Sequence, residues 1–147
     1  TYVLGQLARM IVRDGEGAGR FIQMKVTGAK SKTDAALMAR SVVSSSLVKA
    51  AFFGADANWG RILCAMGYSK ADFDPSLVDL SFSSAKGEIQ VLSAGRPLAF
   101  DEGRAKEILL EKEVFATADC HQGSGEAEAW GCDLTYDYVR INGDYRS

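Results

Sequence analysis

Apolar positions in the first thirty residues change from a helical to a strand-like spacing. Between Val3 and Arg13 they recur every three or four residues, which predicts a helix with one face toward a core. A glycine-rich loop follows at Asp14–Gly19, and Phe21–Thr27 then has the composition of a strand that ends at Gly28. The pattern therefore predicts a helix, a tight loop and a strand in succession.

Two further helices are predicted before residue 70. A long one begins at a cap provided by Ser31 or Thr33 and ends before Phe52, because an apolar face runs through the residues between them. A short buried one covers Ile62–Met66 and ends at Gly67. This part of the chain therefore adds helices around a single predicted strand.

The second half of the chain contains more strand-like segments. Val78–Phe82 and Glu88–Leu92 predict a hairpin, Asp101 can cap a helix, and Val114–Cys120 and Ala127–Leu134 predict two more strands. The layout is mixed α/β, with β-rich material toward the C-terminus. We divide the chain near residue 70, into segments 1–70 and 71–147.

Composition limits the class of protein. With 47% hydrophobic and 24% charged residues, the 147-residue chain is typical of globular proteins rather than disordered or membrane-spanning ones. A net charge of −2 and scattered basic residues argue against nucleic-acid binding. No signal-like N-terminus or long apolar run is evident, which favours the cytoplasm or an organelle matrix. Three cysteines without CxxC spacing are expected to be reduced, and no metal site is expected.

The loop at Asp14–Gly19 is the first candidate site. Its glycines allow Glu16 to be presented on a tight backbone, where a carboxylate can bind an ammonium group. The alternative is a solvent-exposed turn after a helix. The glycine spacing and the preceding helix do not fit a dinucleotide-binding motif.

Two other polar segments are open to two interpretations each. Asp56–Arg61 either lines a polar pocket or starts a helix, with Asn58 as the cap, Trp59 packed and Arg61 in an ion pair. The tyrosine-rich tail from Thr135 either reaches into a site or forms an edge strand.

A complete nucleophilic centre is not evident in the sequence. The chain has one histidine, His121, so a Ser-His or Cys-His pair would have to use it. A lone histidine in a turn is more typical of a protein surface. We therefore expect no catalytic residue in this chain and a nucleophile that lies outside it.

Four separated motifs occur in an order and spacing that together are more specific than any one of them. They are Ile11–Ala18, Leu47–Gly54, Asn58–Ile62 and Cys132–Asn142. This set resembles the ornithine acetyltransferase family. The resemblance implies a mixed α/β, DmpA/ornithine-acetyltransferase-like fold. Residues 1–70 would complete a larger catalytic domain, and residues 71–147 would form a β-rich C-terminal subdomain.

The resemblance also implies a function. Members of the family transfer an acetyl group from N-acetylornithine to glutamate in arginine biosynthesis, some also use acetyl-CoA, and no metal or other cofactor is implied. They are made as a precursor that cleaves itself before an internal threonine, which then acts as the nucleophile of a two-step transfer. The implied partners are an upstream α chain and the remainder of the β chain, in an α2β2 assembly in the cytoplasm, or in the mitochondrial matrix of a eukaryote.

Residue roles are carried over from the family by motif. Glu16, Asn142 and Ser147 match its substrate-binding residues. Thr1 is not assigned as the nucleophile, because Tyr2-Val3-Leu4 follows it where the family has Met-Leu, and because it lies only fifteen residues before Glu16. We expect the catalytic threonine upstream and this chain alone to be inactive. Gly19-Arg20, where threonine and lysine are common, is expected to change loop stiffness more than chemistry.

Two other functions remain open at this point. One is an N-terminal-nucleophile amidohydrolase or aminopeptidase in which Thr1 is the nucleophile. The other is a non-catalytic amino-acid-binding module built on the Glu16 loop.

Overall fold

The computed structural model describes residues 2–145, so Thr1 and the predicted site residue Ser147 lie outside the described part of the chain. Within it the chain forms six α-helices and six β-strands, which confirms the mixed α/β prediction. The helices are α1 Tyr2–Arg13, α2 Lys32–Ser44, α3 Ser46–Phe53, α4 Trp59–Gly67, α5 Glu102–Leu109 and α6 Tyr136–Asp144. The strands are β1 Phe21–Ala29, β2 Asp79–Ser84, β3 Gly87–Ser93, β4 Arg96–Pro97, β5 Glu113–Asp119 and β6 Gly125–Cys132.

All six strands belong to one sheet, in the order β4-β3-β2-β5-β1-β6. β1 and β5 are parallel, and the other neighbours are antiparallel. The predicted hairpin is present as β2 and β3, whereas β5 and β6 are separated by β1 although they follow each other in sequence. The sheet takes strands from both sides of residue 70, and the division into two segments there stays a prediction.

One face of the sheet carries the hydrophobic core. Because side chains alternate along a strand, Ile22, Met24 and Val26 of β1 point to the same face, and all three are buried. α2 packs over β1 and β6, and α5 packs over β2 and β3. From α3, Phe52 meets Phe82 of β2 edge to face, with ring centroids 5.9 Å apart. The core therefore lies between this face of the sheet and helices from both halves of the chain.

The opposite face of the sheet is more polar and only partly covered. Gln23 and Trp130 lie opposite each other on β1 and β6, and the indole Nε1 donates a hydrogen bond to the Gln23 Oε1 at 3.2 Å. From α1, the Arg9 guanidinium lies 4.9 Å from the centre of the Trp130 ring. This stacking places α1 on the second face, at the edge strand β6.

The prediction that an apolar stripe of α1 faces a core is wrong for the described chain. None of the α1 residues is buried. The large apolar side chains that are exposed are Tyr2, Val3, Leu4, Leu7, Met10 and Ile11, with fractions from 48% at Leu7 to 79% at Tyr2. Because α1 lies on the sheet face away from the core helices, its apolar side has no core to enter within residues 2–145.

The single long helix predicted between residues 31 and 52 is two helices. Ser31 caps α2 as expected, since its Oγ accepts a hydrogen bond from the Asp34 amide at 3.0 Å. At Ser45 the backbone leaves the helical region, and the same residue then caps α3 through the Val48 amide. The two helix axes differ by 59°. The apolar pattern continues across this break, which is why periodicity alone did not reveal it.

The alternative that the C-terminal tail is an edge strand is also wrong. Residues Tyr136–Asp144 form α6, and Thr135 is its cap. A strand would place Val139 and Ile141 on one face, whereas residues two apart point to nearly opposite sides of a helix such as α6. A short alternating pattern therefore misleads when a cap begins the segment.

Within residues 2–145, no single helix is long and apolar enough to cross a membrane, and α2 and α3 meet that test only as a bent pair. Cys64, Cys120 and Cys132 form no disulfide. Burial, with a smaller contribution from Asp119, raises the pKa of the Cys120 thiol to about 11.

A polar cluster ties together the ends of several strands. His121 has a left-handed backbone, with φ of +53°, and its Nε2 lies 2.8 Å from Asp79 Oδ2. The hydrogen bond to Asp79 raises the pKa of His121 above its usual 6.5, and the negative charges of Asp119 and Asp79 add to that shift. The pKa of Asp79 is lowered, chiefly because the Ala94 amide donates to its Oδ1 at 2.7 Å. His121 therefore links the end of β5 to the start of β2 at an exposed position.

We predict that the His121 cluster makes stability depend on pH. A raised pKa means that the imidazolium stabilises the fold below its unfolded pKa, and that this contribution is lost as the pH rises through the folded pKa. The depressed pKa of Asp79 adds stability that is lost as the pH falls through the folded pKa of that carboxyl. The free energy of unfolding of wild type minus that of His121→Asn, measured by urea titration, should be larger near about pH 5.5 than near about pH 9.

Asparagine is the matched replacement because it tolerates the left-handed backbone without titrating. The variant Asp79→Asn should lose the same pH dependence. A difference between wild type and His121→Asn that stays constant across that range would contradict the prediction.

Candidate functional site

The loop from Asp14 to Gly19 connects α1 to β1 and turns on its glycines. Gly17 has φ of +70°, and a Cβ there would lie 2.6 Å from the amide nitrogen of Tyr138. Inside the loop, the Ala18 amide donates to the Gly15 carbonyl at 2.9 Å. The loop is therefore a tight turn whose backbone touches the first turn of α6.

Thr135 joins this loop to α6. Its Oγ1 accepts a hydrogen bond from the Tyr138 amide at 3.1 Å and so caps the helix, while its hydroxyl donates to the Gly17 carbonyl. The residue is buried. Because one side chain contacts both elements, the loop and the start of α6 are held together.

Asp133 holds the other end of the loop. Its Oδ1 accepts hydrogen bonds from the backbone amides of Gly19 at 2.7 Å and Arg20 at 2.9 Å, and its side chain is 1% exposed. A Cβ at Gly19 would lie 2.9 Å from Asp133 Oδ2. The buried carboxylate therefore fixes the path of the loop into β1, and a side chain at position 19 would contact it.

Arg20 lies beside this carboxylate and extends the contact to α3. Its Nη1 is 3.5 Å from Asp133 Oδ2 and donates to the carbonyls of Phe52 at 2.8 Å and Phe53 at 3.0 Å. The last carbonyls of a helix have no partners within that helix. Arg20 thus satisfies the end of α3 and supplies the positive charge nearest to Asp133.

Glu16 is exposed on the loop that these contacts hold. None of the ion pairs formed among residues 2–145 uses its carboxylate. The residues that follow it, Gly17–Gly19, line a cavity of about 370 Å³ together with Phe53 and Thr135–Asp137. The loop therefore presents a carboxylate that is unpaired among residues 2–145, next to a cavity with a mixed polar and apolar lining.

Asn142 lies on α6, one turn beyond the residue that touches the loop. Its Nδ2 donates to the Tyr138 carbonyl at 2.9 Å, and its side chain is exposed. Tyr138 also contacts Gly17 of the loop. Because Asn142 follows Tyr138 by one helical turn, α6 places Asn142 about one turn from the point where the loop touches the helix. The substrate-binding roles assigned to Glu16 and Asn142 stay predictions, and Ser147 lies outside the described residues.

The second candidate segment, Asp56–Arg61, starts a helix. Asn58 Oδ1 accepts a hydrogen bond from the Arg61 amide at 3.0 Å and so caps α4. The predicted ion pair of Arg61 is wrong, because its Nη1 donates to the Leu47 carbonyl at 2.9 Å. A cavity of about 520 Å³ runs along α4, but its lining is mainly apolar. The segment therefore starts a helix beside a mainly apolar cavity.

No group of three His, Cys, Asp or Glu side chains among the described residues is arranged to hold a metal ion. The expectation that the protein needs no cofactor stays a prediction.

Sequence reasoning missed the residues that support the loop. Arg20 and Gly19 were expected to affect loop stiffness, whereas the structure gives both of them specific contacts with Asp133. The bond from Gly19 to Asp133 spans 114 residues, and no local pattern predicts such a pairing. The one available signal was Thr135, a good N-cap residue followed two positions later by an acidic residue.

Comparisons with known proteins agree with the fold and the motifs. A family model described as ArgJ family matches residues 1–147, so the chain belongs to the ArgJ family. Over 145 residues the chain is 58% identical to an arginine biosynthesis bifunctional protein ArgJ of Symbiobacterium thermophilum. It is 48% identical over 149 residues to a glutamate N-acetyltransferase of Methanocaldococcus jannaschii. These alignments cover 99% and 98% of the chain but only 35% and 37% of the relatives, so it spans about a third of their length.

A solved structure confirms the predicted fold. The crystal structure of the arginine biosynthesis bifunctional protein ArgJ from Bacillus halodurans superposes with a TM-score of 0.92 at 44% sequence identity. The match covers 98% of this chain and 66% of that one. The family resemblance drawn from the four motifs is thereby confirmed.

We predict that Thr135→Val destabilises the chain by about 1–2 kcal/mol, because it removes the helix cap and the hydrogen bond to the loop while keeping the side-chain shape. Urea unfolding followed by circular dichroism measures the change. Thr33→Val, at an exposed position of α2, is the matched control and should change the free energy of unfolding by less than about 0.5 kcal/mol. Equal effects of the two substitutions would show that Thr135 has no special role.

Proposed function

We propose that this chain is the amino-acid-binding part of an acetyltransferase that moves the acetyl group of N-acetylornithine to glutamate in arginine biosynthesis. The observation that carries the proposal is the family match over all 147 residues, together with relatives named glutamate N-acetyltransferase and arginine biosynthesis bifunctional protein. The exposed Glu16, which forms no ion pair among residues 2–145 and lies on a loop held by buried side chains, supports it.

The proposed chemistry is a two-step acyl transfer. A threonine hydroxyl upstream of this chain attacks the acetyl carbonyl of N-acetylornithine, the C–N bond breaks, and the ornithine amine leaves with a proton. The amine of glutamate then attacks the acetyl-threonine ester, the C–O bond breaks, and the hydroxyl regains its proton. The free amine of the threonine serves as the base, and the chain described here alone transfers no acetyl groups.

In this proposal the chain holds the amino acids for attack. Glu16 binds the side-chain ammonium of ornithine, because a carboxylate and an ammonium form a charge-assisted hydrogen bond. Asn142 and Ser147 hold polar ends of the substrate through amide and hydroxyl groups. The cavity beside Gly17–Gly19 is the space next to the loop in which a small polar molecule fits.

The rest of the same protein is the proposed partner of α1. The relatives are about three times as long as this chain, which covers 35% and 37% of the two compared above. The exposed apolar residues of α1 form a contiguous face that a monomeric domain rarely leaves uncovered. The upstream α chain and the remainder of the β chain cover this face, in an α2β2 assembly.

The proposal also includes a second acetyl donor and a cellular location for the enzyme. Acetyl-CoA serves as a second acetyl donor, in keeping with the word bifunctional in the relatives' names. The enzyme acts in the cytoplasm of a bacterium or in the mitochondrial matrix of a eukaryote. A fission yeast relative, 50% identical over 149 residues, is named mitochondrial.

We predict that Glu16→Gln in the full-length enzyme raises KM for N-acetylornithine by about tenfold or more, because a charged hydrogen-bond partner of the ammonium is lost. Initial rates of N-acetylglutamate formation measure the effect. Glu126→Gln, at an exposed position of β6, is the matched control and should leave KM unchanged.

The same assay separates the competing functions. Formation of free acetate without N-acetylglutamate would favour an amidohydrolase. Binding of ornithine that depends on Glu16, with no acetyl transfer by the full-length protein, would favour a non-catalytic binding module. An unchanged KM in Glu16→Gln would contradict the role proposed for this residue.

We predict that Leu4→Lys impairs assembly of the full-length enzyme while leaving the fold of the described chain intact. Leu4 is 70% exposed within this chain, so a lysine there costs little unless another polypeptide covers the position. Size-exclusion chromatography with light scattering measures assembly, and Leu110→Lys is the control at a position that is 53% exposed at the end of α5. Normal assembly of Leu4→Lys would contradict the proposed interface.

A further inference from the structure

We propose that Asp133 is a positioning residue for Glu16 and that it acts through the loop backbone together with Arg20. The inference rests on the proposed function, since it assigns Asp133 to the site that Glu16 forms. Asp133 is 3% exposed, so it acts through the loop without touching a ligand.

The two oxygens of the Asp133 carboxylate have different tasks. Oδ1 accepts both backbone hydrogen bonds, from Gly19 and Arg20. Oδ2 is buried, has no hydrogen-bond partner among the described residues, and lies 3.5 Å from Arg20 Nη1. The neutral oxygen of an amide side chain could accept the two backbone hydrogen bonds as well. The negative charge of Asp133 is therefore needed to balance the Arg20 guanidinium, because a buried cation without an anionic partner is strongly unfavourable.

Arg20 connects the Asp133 carboxylate to the end of helix α3. Its Nη1 binds the carbonyls of Phe52 and Phe53 at the end of α3, and its side chain is 15% exposed. The loop is thus attached at one point to two parts of the protein, the segment before α6 through Asp133 and the end of α3 through Arg20.

One short segment consequently sets the positions of two predicted substrate contacts. Asp133 fixes the loop at Gly19, Thr135 fixes it at Gly17, and the same segment continues into α6, which carries Asn142. Glu16 directly precedes the anchored part of the loop. A misplacement of about 1 Å in such a site can reduce the rate by about a hundredfold.

The test is a double-mutant cycle in the full-length enzyme, with KM for N-acetylornithine as the readout. Asp133→Asn is expected to raise KM about tenfold, since it keeps an acceptor for the two amides but leaves Arg20 unpaired. If Asp133 acts through Glu16, the double variant Glu16→Gln/Asp133→Asn will have the KM of Glu16→Gln alone to within about twofold. A loss of stability alone would not give this non-additivity.

Two outcomes of the double-mutant cycle would contradict the positioning role, and only one of them also contradicts the role of Glu16. If Glu16→Gln raises KM and the double variant shows the product of the two single effects, the positioning role is wrong and the proposed function stands. If Glu16→Gln alone leaves KM unchanged, the proposed role of Glu16 and the positioning role are both wrong.

A second variant tests the same contact if Asp133→Asn does not fold. Arg20→Gln removes the positive charge beside Asp133 Oδ2 and should raise KM for N-acetylornithine severalfold. Arg40→Gln, at an exposed position of α2, is the matched control and should have no effect. An unchanged KM in a folded Arg20→Gln enzyme would overturn the positioning role.

Discussion

A carboxylate buried between a loop and a helix determines the geometry of the candidate site. Asp133 accepts two backbone hydrogen bonds from the loop and faces a guanidinium that is itself bonded to the end of α3. Burying a charge is unfavourable unless it is paired and hydrogen-bonded, and Asp133 meets these two conditions with different oxygens, hydrogen bonds at Oδ1 and the guanidinium at Oδ2. The contacts of Thr135 with the loop and with α6 follow two residues later, so the three residues Asp133–Thr135 make most of the contacts that hold the loop.

This arrangement holds the backbone next to Glu16 in place and leaves the Glu16 side chain exposed. Glu16 is exposed and forms no ion pair among residues 2–145, while the residues that follow it are held by buried groups. In the proposed transfer reaction this site binds the amino acid, and the attacking group comes from another part of the protein. The exposed apolar side of α1 and the partly covered second face of the sheet are where the rest of such a protein can pack.

Much of the fold was predictable because local signals define helices and strands. The cap at Asp101 marked a helix correctly, and the β2–β3 hairpin followed from two short apolar segments. Of the alternatives left open, Ser31 rather than Thr33 caps α2, and Asn58 caps α4. The break at Ser45 was missed, because the apolar pattern continues through it. The insertion of β1 between β5 and β6 was missed as well, since strand order depends on contacts between residues far apart in sequence.

The candidate site likewise contains residues that the sequence indicated and contacts that only the structure shows. A carboxylate within a glycine-rich loop and a family resemblance were enough to select Glu16, and the resemblance alone selected Asn142 and Ser147. Nothing local indicates that Asp133 binds the backbone at Gly19, or that Arg20 reaches the end of α3, because each contact joins segments at least 32 residues apart. The exposed α1 face shows a related limit, since an amphipathic pattern predicts an apolar face but does not indicate which element packs against it.

The most direct test of the account is a crystal structure of the full-length enzyme with ornithine bound. We expect the side-chain ammonium of ornithine within hydrogen-bonding distance of the Glu16 carboxylate, with Asp133 still bound to the Gly19 and Arg20 amides and α6 beside the ligand. Ornithine bound elsewhere, for example in the cavity along α4, with the Glu16 carboxylate facing solvent, would contradict the account.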